Sequence, residues 1–144
     1  MLDLQSEPEG DLEISHELLQ AFTNDLRSAN LNLRFLSGPW SQEFLNFIQA
    51  SAPDMGTVIL GAETIYSEEA TRAFVQLLVP LLKRTKMSKA IVAAKRIYFG
   101  VGGSVDGLKE ACRELGAVAY EVENHGVKGM EGGVGRALVE VQMY

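Results

Sequence analysis

The sequence is poor in the residues that mark several large classes of protein. It contains one cysteine, Cys112, which excludes an internal disulfide and favours a reducing compartment, the cytoplasm or the nucleus. Its 13 Lys and Arg residues are outnumbered by 19 Asp and Glu residues. This balance argues against a nucleic-acid surface, which needs a clustered basic face. No apolar run approaches the roughly 18 residues of a membrane span. Neither nucleic acid nor a membrane is therefore expected as a partner.

Metal-ligating residues are also scarce. The two histidines, His16 and His125, stand far apart, and neither has a cysteine or carboxylate partner at ligand spacing. The sequence therefore predicts no metal site. Cys112 falls on the apolar face of a predicted helix with Leu108, Ala111 and Leu115, where a buried, unreactive thiol is the favoured interpretation.

What the chain does contain is enough apolar sequence for one domain with a core. Of its 144 residues, 47% are hydrophobic and 22% are charged, and its net charge is -6. Residues 1–14 hold several acidic residues, Pro8 and Gly10 but little periodicity, and are interpreted as a tail or linker. Residues 15–144 form the predicted domain.

Helical and strand patterns alternate along that domain. Four helices are predicted, each with a serine suited to cap its start: Ser15, Ser41, Ser67 and Ser104, with Asp106 as an alternative to the last. Pro80 predicts a kink or an early stop in the third helix, and Gly116 the end of the fourth. Apolar or alternating runs predict five strands: Leu31–Leu36, Thr57–Leu60, Lys89–Lys95, Ala117–Val122 and Val134–Met143.

This alternation predicts an α/β fold with a mostly parallel sheet, because parallel neighbours need crossover connections. The last two strands are separated by a glycine-rich loop, Asn124–Gly133, and not by a helix. We therefore expect a final hairpin whose last strand is antiparallel.

The stretch Lys89–Val105 is the first place to look for function. A buried-type strand ends at Lys95 and is followed by an aromatic and glycine-rich turn containing Tyr98, Gly100, Gly102 and Gly103. Ligands of open α/β sheets bind beyond the carboxyl ends of the strands. Lys95 and Tyr98 could border an acidic or phosphate-bearing ligand, or Lys95 could be a solvated strand-end residue. A nucleotide-binding oxidoreductase would rest on the glycine turn alone, which matches a dinucleotide fingerprint only in part.

Two other positions have both a functional and a structural interpretation. Glu63 and Tyr66 follow a predicted strand at i and i+3, so a helical turn there would place them on one side. They could orient a substrate nitrogen, or serve as a solvated carboxylate and a packing residue. Trp40, after Gly38 and Pro39, could stack on a planar ring or fill the core.

Three segments together resemble a known family. They are SGPW (Ser37–Trp40), AETIY (Ala62–Tyr66) and AAKRIYFGVGGSV (Ala93–Val105). The chain from Ser15 to Tyr144 resembles the C-terminal half of a histidine protein methyltransferase, a seven-strand S-adenosylmethionine-dependent enzyme. The resemblance implies a Rossmann-like three-layer sandwich that ends in an antiparallel strand.

The resemblance also implies a role for each matched position. Ser37, Gly38, Trp40 and Ala62 would lie along the cofactor, S-adenosylmethionine, with Ala62 where the family usually has serine. Glu63 and Tyr66 would border the methyl-transfer site and position the acceptor. The acceptor entrance would be shaped by residues of the glycine turn and its flank: Lys95, Tyr98, Gly100, Gly102 and Gly103. The family's acceptor is a histidine of a large-subunit ribosomal protein.

The family's first two strands, with their cofactor-binding glycine loop and acidic residue, have no counterpart in this sequence. We therefore expect a fragment of a longer enzyme, with a gap in its sheet whose unpaired edges could pair in a dimer. The alternative is a non-catalytic protein-interaction module that does not bind the cofactor.

Overall fold

The computed structural model describes residues 13–48, 56–123 and 135–144. The chain divides into two compact units, Met1–Ser37 and Gly38–Tyr144. In the first unit, helix α1 spans His16–Ser28, and its N-cap Ser15 accepts a hydrogen bond from the backbone N–H of Leu18 at 3.2 Å. The predicted start of this helix is confirmed, although none of its residues is buried.

The strand predicted at Leu31–Leu36 is wrong. Residues 31–36 form no strand, and all six are exposed. Alternation of apolar and polar residues suits a strand only when a neighbouring strand accepts its backbone hydrogen bonds. No ladder to this segment exists in the described part of the chain.

The second unit contains three helices and four strands. The helices are α2 (Gln42–Phe47), α3 (Glu68–Arg84) and α4 (Val105–Glu114), and the strands are β1 (Val58–Ala62), β2 (Lys89–Lys95), β3 (Ala117–Val122) and β4 (Arg136–Met143). The predicted caps Ser41, Ser67 and Ser104 each accept a hydrogen bond from the backbone N–H three residues on. Local side-chain chemistry therefore fixes where each helix starts.

Two helix details differ from the prediction. Helix α3 continues for one turn past Pro80 to Arg84, so the early stop is wrong. Buried Leu77, Leu78 and Leu82 flank the proline, and their packing offsets the hydrogen bond that proline cannot make. Leu115 is exposed and not inward, because α4 ends at Glu114 and Leu115 is its C-cap.

The strands form one sheet in the order β1-β2-β4-β3. β1 and β2 are parallel, while β4 runs antiparallel to both β2 and β3. Three strands therefore share one direction, and the last strand is inserted between its neighbours in the opposite direction. The sheet is thus mixed: three of its four strands share one direction, as predicted, and the antiparallel terminal strand is confirmed, although two of the three pairings are antiparallel because β4 lies between β2 and β3.

One face of the sheet packs against α3 and α4. Val92, Val139 and Val141 are fully buried there with Leu78 of α3 and Leu108 of α4. Cys112 belongs to the same cluster, and burial raises the pKa of its thiol to about 11. The prediction of a buried cysteine is confirmed.

Some predictions fall outside the described residues. These are the tail, apart from residues 13 and 14, the loop Asn124–Gly133 and the proposed start of the last strand at Val134. The boundary between tail and domain stays a prediction. In the part of the chain that is described, no helix has the length and apolar character needed to cross a bilayer.

Candidate active site at the carboxyl ends of β1 and β2

The parallel strands β1 and β2 bring their carboxyl ends side by side. Ala62 pairs with Ala93, and the backbone N–H of Glu63 donates to the carbonyl of Ala93 at 3.0 Å. The residues that follow the two strands, Glu63 to Tyr66 and Arg96 to Gly103, therefore meet at one edge of the sheet, together with Lys95 at the end of β2. Such an edge is where open α/β sheets bind ligands.

Glu63 has a strained backbone at this edge. Its φ angle is 55°, in the left-handed region that costs a non-glycine residue about 1–2 kcal/mol. Residues 63–66 are not helical, so the condition under which Glu63 and Tyr66 would share one side is not met. Tyr66 is 54% exposed. Strained residues of this kind cluster at functional sites, where the surrounding structure holds them.

The residue that contacts the Glu63 side chain is Tyr98. The Tyr98 hydroxyl donates to Oε2 of Glu63 at 2.9 Å and accepts from the backbone N–H of Lys95 at 3.2 Å. Tyr98 is 8% exposed, and this burial is the main reason that its pKa is raised, with the bond to Glu63 adding to the effect. The resemblance implies that Tyr98 shapes the acceptor entrance, and the local sequence pattern does not indicate this contact. One feature of the sequence could have indicated the contact: Glu63 and Tyr98 each follow one of two adjacent parallel strands.

Lys95 closes the other side of the tyrosine ring. Its Nζ lies 5.7 Å from the ring centroid of Tyr98, a distance that allows a cation–π attraction. The ammonium group is therefore near the candidate site, at a half-buried strand end. Next to it Arg96 turns away and forms an ion pair with Glu121, the nitrogen and oxygen being 2.6 Å apart.

The glycine turn is packed directly against the segment that follows β1. Its backbone is closed by a hydrogen bond from Tyr98 N–H to Gly103 C=O at 2.8 Å, and Gly102 forms a bridge with Ser67. A Cβ atom on Gly103 would lie 2.1 Å from the carbonyl oxygen of Ile65, which no side chain can tolerate. Gly100 and Gly102 have φ angles of 81° and 82°, so they need the freedom of glycine for a different reason.

Trp40 lies on the helical side of β1. Its ring is edge-on to Phe44 at 5.8 Å and to Phe74 at 5.7 Å. Phe74 in turn lies 3.1 Å from where a Cβ atom on Gly61 of β1 would be, and a Cβ atom on Gly38 would lie 2.9 Å from the ring of Phe44. The indole is 39% exposed, so it packs against the core and keeps one part accessible. It also lines a cavity of about 390 Å³ between α2 and α3.

The cavity beside Trp40 is lined by neither Gly38 nor Ala62, the other predicted cofactor positions of the second unit. Ala62 is exposed at the end of β1, directly before Glu63. Gly38 and Trp40 stand beside α2, and the cavity next to them is lined by neither Glu63 nor Tyr98. Ser37 belongs to the first unit. The roles proposed for all these residues, and for Glu63 and Tyr66, stay predictions.

The described residues contain no cluster of three or more His, Cys, Asp or Glu side chains arranged to hold a metal. His16 shares a hydrogen bond of 3.0 Å with the amide nitrogen of Gln20 on the surface of α1, and His125 is outside the described ranges. The absence of a metal site stays a prediction for the chain.

Comparison with known proteins supports the resemblance found in the sequence. The chain is 43% identical over 101 residues to histidine protein methyltransferase 1 of Schizosaccharomyces pombe, a match that covers 69% of this chain and 29% of that protein. It is 36% identical over 98 residues to the Saccharomyces cerevisiae protein of the same name, covering 66% and 26%. The chain thus spans less than a third of these relatives. No family model matches it.

A comparison of structures confirms the fold. A crystal structure of an S-adenosylmethionine-dependent methyltransferase from Clostridium acetobutylicum superimposes with a TM-score of 0.52, at 10% identity, over 90% of this chain and 72% of that one. The contiguous match to the S. pombe protein must include Glu63 and Tyr98 wherever it starts, because it covers 69% of the chain. The chain has the Rossmann-like methyltransferase fold and is similar to part of the histidine protein methyltransferases.

Proposed function

We propose that this chain supplies the C-terminal part of an S-adenosylmethionine-dependent protein-histidine methyltransferase. Its proposed acceptor is a histidine of a large-subunit ribosomal protein, and its proposed location is the cytoplasm or the nucleus. The observation that carries the proposal is the geometry of Glu63 at the point where two parallel strands end. Its backbone is strained, and its carboxylate is held by the hydroxyl of a buried tyrosine. The similarity to two histidine protein methyltransferases supports the same conclusion.

The geometry at Glu63 suits recognition of an imidazole. One carboxylate oxygen, Oε2, accepts from Tyr98, and the described residues provide no hydrogen-bond donor to the other oxygen, Oε1. A neutral imidazole carries one N–H donor and one unprotonated nitrogen. A carboxylate that accepts from the N–H fixes which nitrogen keeps its lone pair. Glu63 would thus select the tautomer and direct the unprotonated nitrogen.

Positioning of this kind accounts for much of the catalysis expected here. Aligning two reactants can lower a barrier by about 7–11 kcal/mol. S-adenosylmethionine, when bound, would supply a methyl group on a sulfonium. The unprotonated imidazole nitrogen would form the nitrogen–carbon bond as the sulfur–carbon bond breaks, and the N–H proton of the resulting imidazolium would pass to the Glu63 carboxylate that accepts from it. Among the described residues, exposed Ala62 and the accessible part of Trp40 offer apolar surface that the cofactor's adenine side could contact.

The outer side of β1 favours a second candidate function, protein interaction without catalysis. β1 pairs on one side only within the described residues, and its Leu60 is 78% exposed. An open strand edge with apolar side chains is a template for pairing with another chain, including a second copy. Sedimentation of the 144-residue chain tests the pairing of two copies: a dimer that dissociates in Leu60→Lys would support this form of the candidate, and a monomer would exclude it.

The test of the enzymatic proposal uses a chimera. The segment of the S. pombe relative that matches this chain is replaced by the residues of this chain, and the chimera is incubated with S-adenosylmethionine and large ribosomal subunits from cells that lack the relative. We expect methylhistidine in hydrolysed ribosomal protein. A folded chimera that forms none would contradict the proposal.

A further inference from the structure

The buried side chain of Tyr98 lies next to the candidate site, and the proposed reaction as described so far gives it no role. The hydroxyl of this residue joins three parts of the chain: its own glycine turn, the end of β2 through the N–H of Lys95, and the end of β1 through Glu63. Glu63 and Tyr98 are 35 positions apart in sequence. A contact of this range is made by the fold and not by local geometry.

The position of the ring argues against direct substrate contact. Tyr98 is 8% exposed and belongs to the core cluster that contains Val92 and Val105. Its backbone N–H is bonded to Gly103, and its hydroxyl has one donor bond and one acceptor bond. The tyrosine is therefore fixed on several sides, while Glu63, its partner, is exposed.

The contact with Tyr98 matters because the backbone of Glu63 is strained. A glutamate with positive φ and an exposed side chain would relax or sample several rotamers unless neighbouring groups held it. The backbone bond to Ala93 holds the main chain of Glu63, and the hydroxyl of Tyr98 is the group that holds its side chain.

We propose that Tyr98 is a positioning residue that fixes the Glu63 carboxylate for the acceptor imidazole, and that it does not shape the acceptor entrance. The inference rests on the proposed function, because Glu63 is taken to receive the acceptor. It predicts that removing one oxygen atom from a buried ring changes turnover, although that ring does not touch the substrate.

The first experiment concerns the pair itself and needs no enzymatic activity. In the 144-residue chain labelled with ¹³Cζ-tyrosine, the pKa of Tyr98 is measured by NMR in the parent and in Glu63→Gln. We expect Glu63→Gln to lower the pKa of Tyr98, because the bond to the carboxylate and its charge both raise it. We also expect Tyr98→Phe to give averaged side-chain couplings at Glu63. Unchanged values in both measurements would overturn the inference.

Tyr120 provides a matched control. Its hydroxyl donates to Glu140 at 2.6 Å on the exposed face of the sheet, so Tyr120→Phe removes a tyrosine–glutamate bond of the same type elsewhere. Tyr120→Phe should leave the Glu63 couplings as they are in the parent. If it averages them as Tyr98→Phe does, the effect is general loosening and the positioning role is wrong.

The second experiment links the pair to turnover in the chimera described above. Tyr98→Phe should lower kcat about tenfold and leave KM for S-adenosylmethionine within about twofold, because an interaction that aligns the acceptor acts on the chemical step. Tyr120→Phe should match the parent. An active parent whose kcat is unchanged by Tyr98→Phe overturns the positioning role alone. An inactive parent overturns the proposed function, while the NMR measurements still decide whether Tyr98 holds Glu63.

Discussion

The glycine turn after β2 and the outer side of β1 differ sharply in how closely they are packed. At the turn, Gly103 has no room for even a methyl group, because the carbonyl of Ile65 is in the way. On β1, the strand next to β2, Leu60 is 78% exposed. Glu63 lies at the boundary between these regions. The rigid region can hold a reactive side chain while the open region leaves it accessible, which is the combination that a binding site requires.

The largest change in the free energy of unfolding is expected in the glycine turn, where the packing is tight. Gly103→Ala should destabilise the chain by about 4 kcal/mol or more, because the new Cβ overlaps backbone that cannot move alone. Gly100→Ala is the control: it has open space but a φ angle of 81°, so we expect a cost of about 1–2 kcal/mol. Chemical denaturation followed by circular dichroism measures both. Equal costs would mean that the turn is not pressed against residues 65–67.

A second pair of variants compares the two regions through leucine. Leu78→Ala removes a fully buried side chain from α3 and should cost about 3 kcal/mol. Leu60→Ala should change the free energy of unfolding by less than about 0.5 kcal/mol, because the side chain is mostly in water. The same denaturation experiment applies. A large cost at Leu60 would show that something covers β1 in solution, as the interaction candidate requires.

A smaller effect than at Gly103 or Leu78 is expected from an ion-pair network that joins α4 and the end of β2 to β3. The Lys109 ammonium, 2.7 Å from Glu121, together with Arg96, lowers the pKa of Glu121 below its ordinary 4.5. A lowered folded-state pKa contributes stability above 4.5 that is lost as the pH falls through the lower value. Glu121→Gln should therefore cost up to about 1 kcal/mol at pH 7 and almost nothing at pH 2. A cost that is equal at both pH values would contradict this account.

Local chemistry made much of the fold predictable. Each capping serine contacts a backbone N–H three residues away, so the four helix starts could be found without tertiary information. The strand Lys89–Lys95 was predicted with its observed bounds, because a lysine stands at each end of its apolar run. The strand predicted at Leu31–Leu36 was wrong because local chemistry was not sufficient there. Alternating apolar and polar residues indicate a strand, but a strand forms only when a neighbouring strand pairs with its backbone.

The site was predictable in its location but not in its contacts. Glu63 could be singled out because it follows a predicted strand, although the expectation that this strand is buried is wrong: Val58 and Leu60 of β1 are exposed. The bond of Glu63 to Tyr98 depends on the rotamer of a buried ring and on a left-handed backbone, and neither leaves a pattern in the sequence. Tyr66 looked equivalent to Glu63 at i+3, yet the turn between them is not helical, so the spacing argument did not apply.

The most direct test of the central claim measures histidine methylation by Glu63→Gln in the chimera. Glu69→Gln serves as the control, because Glu69 is an exposed glutamate in the first turn of α3. We expect Glu63→Gln to lower kcat by about a hundredfold or more, the range for a side chain that handles the proton of a reacting group. Glu69→Gln should retain the parent rate. Methylation by Glu63→Gln at the parent rate would contradict the assignment of the acceptor site to the end of β1.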